Sequence, residues 1–177
     1  MRIKKFNEMK SGDMYDYGCV MVYLDIPNWN NIVSKINPEE LYLPEDPTHG
    51  IESNPHTTIL YGLHPEVTDE DVTKAVKSQN LSNIILDIDG IDTFQNKDYD
   101  VVKMNVKSDA LNSLNKEISK LPHTTDYPDY RPHLTIAYVK PGHGKKYHQP
   151  DYKHSFNKIK KIVYSKTNGD KVEIPLS

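Results

Sequence analysis

The chain has 177 residues, a formal charge of −3 and an apolar content of 36%. That length holds one compact domain, or two small lobes sharing an interface. Neither half is strongly basic, so the broad positive face needed to grip long nucleic acid is missing, and a small phosphorylated ligand is the expected partner.

Residues 1–16 read as a short N-terminal arm ahead of one bilobal domain, 17–177. Met1 to Phe6 is basic but lacks the apolar stretch of a signal peptide. No apolar run approaches the roughly 20 residues needed to span a bilayer. Tyr17 to Ile26 is rich in β-formers and predicts a strand. It carries Cys19, the single cysteine. No disulfide forms within such a chain, which fits a reducing compartment, and a cytoplasmic location is expected.

Pro27 ends the strand and opens a helix whose face is Trp29, Ile32, Val33 and Ile36. Asn37-Pro38 stops it. Leu41 to Pro55 holds three prolines and Gly50 and predicts a loop. It delivers the chain into a β-branched strand, Pro55 to Tyr61. Thr68 caps a second helix, with Asp71 in the capping-box position and Val72, Ala75 and Val76 as the apolar face. Asp69-Glu70-Asp71 is acidic because it sits at the positive end of that helix dipole, not because it forms a catalytic pair.

Ile84 to Ile91 alternates apolar and acidic residues as a half-buried strand does, and Tyr99 to Lys107 repeats the pattern with Val102, Met104 and Val106 inward. Ser108 caps a third helix carrying Leu111, Leu114, Ile118 and Leu121. A Pro/Tyr/Asp loop, Pro122 to Pro132, leads to a strand at His133 to Val139. The remainder predicts a basic loop from Pro141 to His154, then strands over Phe156 to Lys166 and Val172 to Leu176, joined by a turn at Asn168-Gly169. The fold class is α+β, with antiparallel-type strands and helices packed outside. Strand, helix, loop and His-strand occur in that order twice, at Tyr17 to Leu63 and at Tyr99 to Val139. This duplication predicts two similar lobes about a pseudo-two-fold axis, with the cleft between them.

The two His-strands also match residue by residue. Pro-His-x-Thr-Ile-x-Tyr stands at Pro55 to Tyr61 and again at Pro132 to Tyr138, with the histidines 77 residues apart. Strand propensity accounts for Thr, Ile and Tyr, but not for the Pro-His start. Residues i and i+2 of a strand share a face. His56 therefore lies with Thr58, and His133 with Thr135, while Ile59 and Ile136 point to the core. Two imidazoles and two hydroxyls converging on one cleft make a cradle for phosphate. The hydroxyls donate to phosphate oxygens, a neutral His takes a proton from the attacking oxygen, and a protonated His gives one to the leaving oxygen. The scheme calls for no metal or other cofactor.

Paired His-x-Thr motifs on two lobes are the signature of the 2H phosphoesterase superfamily, and the chain resembles that group over residues 17 to 176. The resemblance implies a two-lobed fold, a metal-independent cleft and catalytic His56, Thr58, His133 and Thr135. Within the group, Gly50 to His56, Tyr99 to Lys103 and Arg131 to Tyr138 resemble the phage branch. That branch includes anti-CBASS phosphodiesterases, which cleave 3′–5′ bonds of bacterial cyclic di- and trinucleotide messengers. A small cyclic oligonucleotide is then the expected substrate, and host cytoplasm the expected location. Tyr138, standing where the RNA ligase-like branch usually has Arg, points the same way. Thr57 departs from an apolar preference at its position.

Other residues are weaker candidates. Phe94 resembles an aromatic position beside the cleft and is a candidate to stack on a base, against a plain core role. Tyr17 is a candidate phosphate contact, against packing. The Gly-rich, Lys-rich segment Pro141 to Tyr147 suits a substrate lid with Lys145 meeting phosphate, against a solvated loop. His143, His148 and His154 match no strong zinc spacing. His49, His64 and His123 read as loop residues. Two further functions remain open: an enzyme for RNA ends bearing 2′,3′-cyclic or 2′–5′ linkages, and a non-catalytic nucleotide- or RNA-binding module.

Overall fold

The computed structural model describes residues 15–44, 49–79, 81, 84–156 and 159–176. The expected arm at 1–16 lies almost wholly outside them. Eight strands, β1 (Gly18–Tyr23), β2 (His56–Leu63), β3 (Leu86–Gln95), β4 (Asp100–Lys107), β5 (His133–Val139), β6 (Gln149–Phe156), β7 (Lys161–Ser165) and β8 (Lys171–Pro175), form one sheet. Its order is β6-β3-β4-β5-β2-β1-β7-β8, and every neighbouring pair is antiparallel.

That order is a palindrome of function. The His-strands β5 and β2 lie at the centre, each flanked by the strand that precedes it in its own repeat, β4 and β1. Strands β2 and β5 meet edge to edge at the bridge Thr57 to Leu134, and Leu41 and Ile51 bridge to β5 at Val139 and Ala137. This order matches the two-lobed arrangement expected from the duplicated sequence.

Three helices, α1 (Trp29–Val33), α2 (Asp69–Lys77) and α3 (Asp109–Ile118), pack on one face. The capping box at Thr68 and Asp71 forms: Asp71 N donates to Thr68 Oγ1 at 3.2 Å and Thr68 N to Asp71 Oδ2 at 3.0 Å. Ser108 Oγ accepts from Leu111 N. Val72, Ala75 and Val76 of α2 and Leu111, Leu114 and Ile118 of α3 bury the apolar stripes read from their spacing. Helix α1 is shorter than predicted. Beyond Val33 its turns tighten to three-residue bonds, Lys35 N to Ile32 O and Ile36 N to Val33 O, which still bury Ile36.

The segment read as a basic loop, Pro141 to His154, is structured. Gly144–Tyr147 is a 3-10 turn, and Gln149–Phe156 is the edge strand β6, paired with β3. An edge strand buries little, so its sequence, Gln-Pro-Asp-Tyr-Lys-His-Ser-Phe, shows no clean alternation. The strand read as Phe156 to Lys166 is correspondingly the end of β6 followed by β7. Gly62 in β2 has φ +114°, and a Cβ there would stand 1.9 Å from the Thr124 carbonyl oxygen. Only glycine allows the Pro122–Pro132 loop to lie this close.

Candidate active site

The bridge at Thr57 and Leu134 sets the site. The pairing is antiparallel, so His56 and Thr135 flank the bridge on one side and Thr58 and His133 on the other. The two histidines and two threonines thus form a quadrilateral on the face away from the helices. All four are half-buried, whereas Thr57, Leu134, Ile59 and Ile136 are fully buried on the other face.

Each His-strand carries a β-bulge at its isoleucine. In β1–β2, Val20 pairs with Leu60 and Met21 with Thr58; in β4–β5, Val102 pairs with Ala137 and Lys103 with Thr135. The extra residue reverses the alternation. It returns Tyr61 and Tyr138 to the same face as the histidines, where strict parity would send them to the core. The Tyr138 hydroxyl is hydrogen-bonded with Thr135, and burial pushes its pKa up. Tyr61 joins Tyr23, Met21 and Cys19 in a small apolar cluster on the cleft face.

The bulges free carbonyl groups that need donors. Asn115 of α3 donates to Ile59 O at 2.7 Å, and Tyr130 Oη to Thr58 O at 3.0 Å. At the other bulge, Glu52 N donates to Ile136 O at 2.9 Å and Tyr138 N to Gly50 O at 2.8 Å.

Both imidazoles are held alike. His56 Nδ1 bonds to Asn54 O and His133 Nδ1 to Arg131 O, each at 2.9 Å and each two residues back. A carbonyl partner fixes the proton on Nδ1 of the neutral ring and leaves Nε2 as the atom that takes or gives a proton. The surroundings of the rings differ. Glu52 Oε2 lies 3.9 Å from His56 Nδ1, and the carboxylate is 3% exposed. Tyr23 packs on His56 with centroids 5.9 Å apart. Phe94 stands edge-on to His133 at 5.0 Å, and the Lys103 amine lies over Phe94 at 4.3 Å. Burial lowers the His133 pKa, opposed by the Arg131 carbonyl and aided by the charges of Lys103 and His56.

Phe94 is therefore beside the histidine pair. Tyr17 is not. It precedes β1, and β1 runs antiparallel to β2 with Tyr23 opposite His56 and Gly18 opposite Leu63. Tyr17 packs on Tyr61 and His64, each at 6.0 Å, at the far end of β2. Lys145 is not brought to the site either. Asp100 Oδ2, nearly fully buried, accepts from Gly142 N at 2.9 Å and Gly144 N at 3.0 Å. Tyr147 packs into the helix-side core. The segment is thus pinned to the opposite face of the sheet, and the lid reading fails.

His143 pairs with Glu40, His148 with Asp92, and His154 packs on Phe156. Among the described residues no group of three or more His, Cys, Asp or Glu is placed to hold a metal ion, and no helix is long and apolar enough to cross a membrane. Glu52, Tyr23 and Lys103 stand beside the His and Thr residues, and sequence reading did not single them out. Two signals were present: Glu52 and Lys103 fall within the stretches resembling the phage branch, and pairing β1 with β2 puts Tyr23 opposite His56.

A family model described as the anti-CBASS protein Acb1 matches residues 49–158, which hold both His-strands. No curated protein sequence matches the chain. Among solved structures it is similar to Kluyveromyces marxianus Usb1, at 7% identity and a TM-score of 0.61, over 92% of this chain and 99% of that one. It is also similar to the MHV ns2 PDE domain, at 11% identity and a TM-score of 0.53, over 90% and 99%. Escherichia coli LigT in its apo form gives 13% identity and a TM-score of 0.51, over 92% and 96%. At these identities the likeness is one of fold.

Proposed function

The chain belongs to the anti-CBASS Acb1 family of 2H phosphoesterases, and on that premise we propose that it hydrolyses the 3′–5′ bonds of cyclic di- and trinucleotide messengers without a metal ion. The observation that carries the reading is the register through Thr57 and Leu134, which lays His56, Thr58, His133 and Thr135 on one face.

The chemistry follows from what four such groups do. The threonine hydroxyls donate to the non-bridging oxygens of a phosphate set between the strands. The ribose 2′-hydroxyl attacks the adjacent phosphorus as one imidazole takes its proton. The bond to the 5′-oxygen breaks as the other imidazole protonates it. The products are a 2′,3′-cyclic phosphate and a free 5′-hydroxyl, and exchanged roles then admit water. A positioned acid or base contributes roughly 10²–10⁴-fold. Phe94, edge-on to His133, offers a surface for one base, and such stacking is worth about 1–3 kcal/mol. Lys103 supplies positive charge beside Phe94 and His133.

The test is a substrate panel of cyclic dinucleotides, cyclic trinucleotides and 2′,3′-cyclic mononucleotides, with products separated and weighed by mass spectrometry. Linearised di- or trinucleotides are expected. Turnover confined to 2′,3′-cyclic ends moves the assignment to an RNA-end enzyme. Saturable binding with no product moves it to a binding module.

A further inference from the structure

Each His-strand pairs with its flanking strand in the same register and with the same bulge, so the residues beside each histidine can be compared position by position. Opposite His56, Thr58 and Tyr61 stand Tyr23, Met21 and Cys19; opposite His133, Thr135 and Tyr138 stand Asn105, Lys103 and Val101. Lys103 thus occupies the position that Met21 fills in the other lobe. Both are buried, Met21 fully and Lys103 at 4% exposure. The fold takes an apolar side chain there, and a buried ammonium is costly unless paired. Lys103 is held by Asn105 Oδ1, by Asp92 at 3.8 Å and by the Phe94 ring.

The second difference lies four residues before each histidine. Glu52 is buried against His56, whereas its counterpart Asp129 is exposed. Glu52 is fixed at its amide, its carbonyl and one carboxylate oxygen. Its amide donates to Ile136 O, its carbonyl accepts from Trp29 Nε1 at 2.8 Å, and Oε1 accepts from Asn54 N at 2.9 Å. Since Asn54 O receives His56 Nδ1, the carboxylate, the loop and the ring form one unit.

We propose that Glu52 and Lys103 are positioning residues that hold the two histidines in opposite charge states, His56 protonated and His133 neutral, and so make His133 the base and His56 the acid of the opening step. The proposal rests on the acid–base reading above. The proton of the 2′-hydroxyl passes to His133 as the new O–P bond forms. The bond from phosphorus to the 5′-oxygen breaks as His56 gives that oxygen its proton. The groups facing His56 are Glu52, the Tyr23 ring with Lys171 on its hydroxyl at 3.1 Å, and His133. Those facing His133 are Lys103 with its partner Asp92, the Phe94 ring, the Arg131 carbonyl and His56.

NMR titration of the imidazoles tests this on the unliganded chain. His133 is expected to titrate below His56. Lys103→Met, which copies the other lobe, raises the His133 midpoint, and Glu52→Gln lowers that of His56. A purely structural role moves neither midpoint selectively. Equal or reversed midpoints, or variants that leave them in place, overturn the proposal.

A 3′–5′ ribonucleotide linkage with sulfur for the bridging 5′-oxygen separates the roles, because a thiolate leaves without an acid. The loss in His56→Ala should shrink at least about tenfold on that substrate, and that in His133→Ala should persist. The reverse pattern sinks the assignment. If the wild type cleaves neither linkage, the phosphodiesterase reading fails, and the titration still decides the charge states.

Discussion

Thr57 and Thr58 are adjacent in β2 but face opposite sides of the sheet, so one substitution has opposite effects at the two. Thr57 is fully buried on the helix side, and its hydroxyl has no hydrogen-bond partner among the described residues. An unpaired buried hydroxyl costs about 1–3 kcal/mol. Thr57→Val keeps the volume and removes that cost. In a domain of this size each kcal/mol moves the melting midpoint by about 2–4 °C, so the variant should melt at least about 2 °C higher with unchanged turnover. Thr58→Val acts on the cleft face, beside the Cys19 thiol. It deletes a donor to phosphate, and a hydrogen bond to a charged group is worth about 1.5–3 kcal/mol. Its kcat/KM should fall roughly ten- to a hundredfold with little change in melting. Calorimetry and initial rates on both variants decide the matter. A Thr57→Val protein that melts lower, or a Thr58→Val protein with wild-type rates, refutes the assignment of faces.

Gly62→Ala brings a Cβ against the Thr124 carbonyl at a φ that disfavours side chains; a loss of more than about 2 kcal/mol in urea unfolding is expected, and wild-type stability would show that the loop does not lie there. Hydrogen bonds from Lys146 and Tyr147 hold the Glu40 carboxyl down at about 2, from an ordinary 4.5. Its folded value is depressed, so its contribution is complete above pH 4.5 and is lost as pH falls through about 2. Carboxyl NMR should show that low midpoint, rising in Lys146→Met; an ordinary midpoint in the wild type contradicts the contact. Burial raises the Cys19 thiol pKa, so thiol reagents at mild alkaline pH should label the protein only after unfolding. Rapid labelling of the native chain would place Cys19 at the surface.

The features legible in the sequence were those with a local physical signature. Alternation marked β4, capping residues marked α2 and α3, and the repeated Pro-His-x-Thr marked the central strands. The order of elements carried the pseudo-symmetry. The bulges at Ile59 and Ile136 left no signature, because a bulge reveals itself only against the register of a partner strand. Tyr61 and Tyr138 could not be placed on the cleft face without it. Strand β6 was hidden because an edge strand with few buried residues has no apolar period. Tyr17 and Lys145 were chosen by nearness in sequence to a His-strand or its neighbour. Antiparallel pairing carries the first to the wrong end of β2, and the Asp100 carboxylate ties the second to the wrong face. Glu52 and Lys103 lay inside the stretches that resemble the phage branch, but their opposed charges beside the two histidines show only when the strands are paired.

The central claim is that two histidines on adjacent antiparallel strands act together on one phosphodiester. Its most direct test is the rate of cyclic dinucleotide cleavage in excess EDTA by the wild type, His56→Ala and His133→Ala, each checked for a native melt. The account predicts metal-free turnover by the wild type and a loss of at least about 10²-fold in each variant. Wild-type turnover in either variant, or cleavage that appears only when a divalent metal is restored, would contradict it.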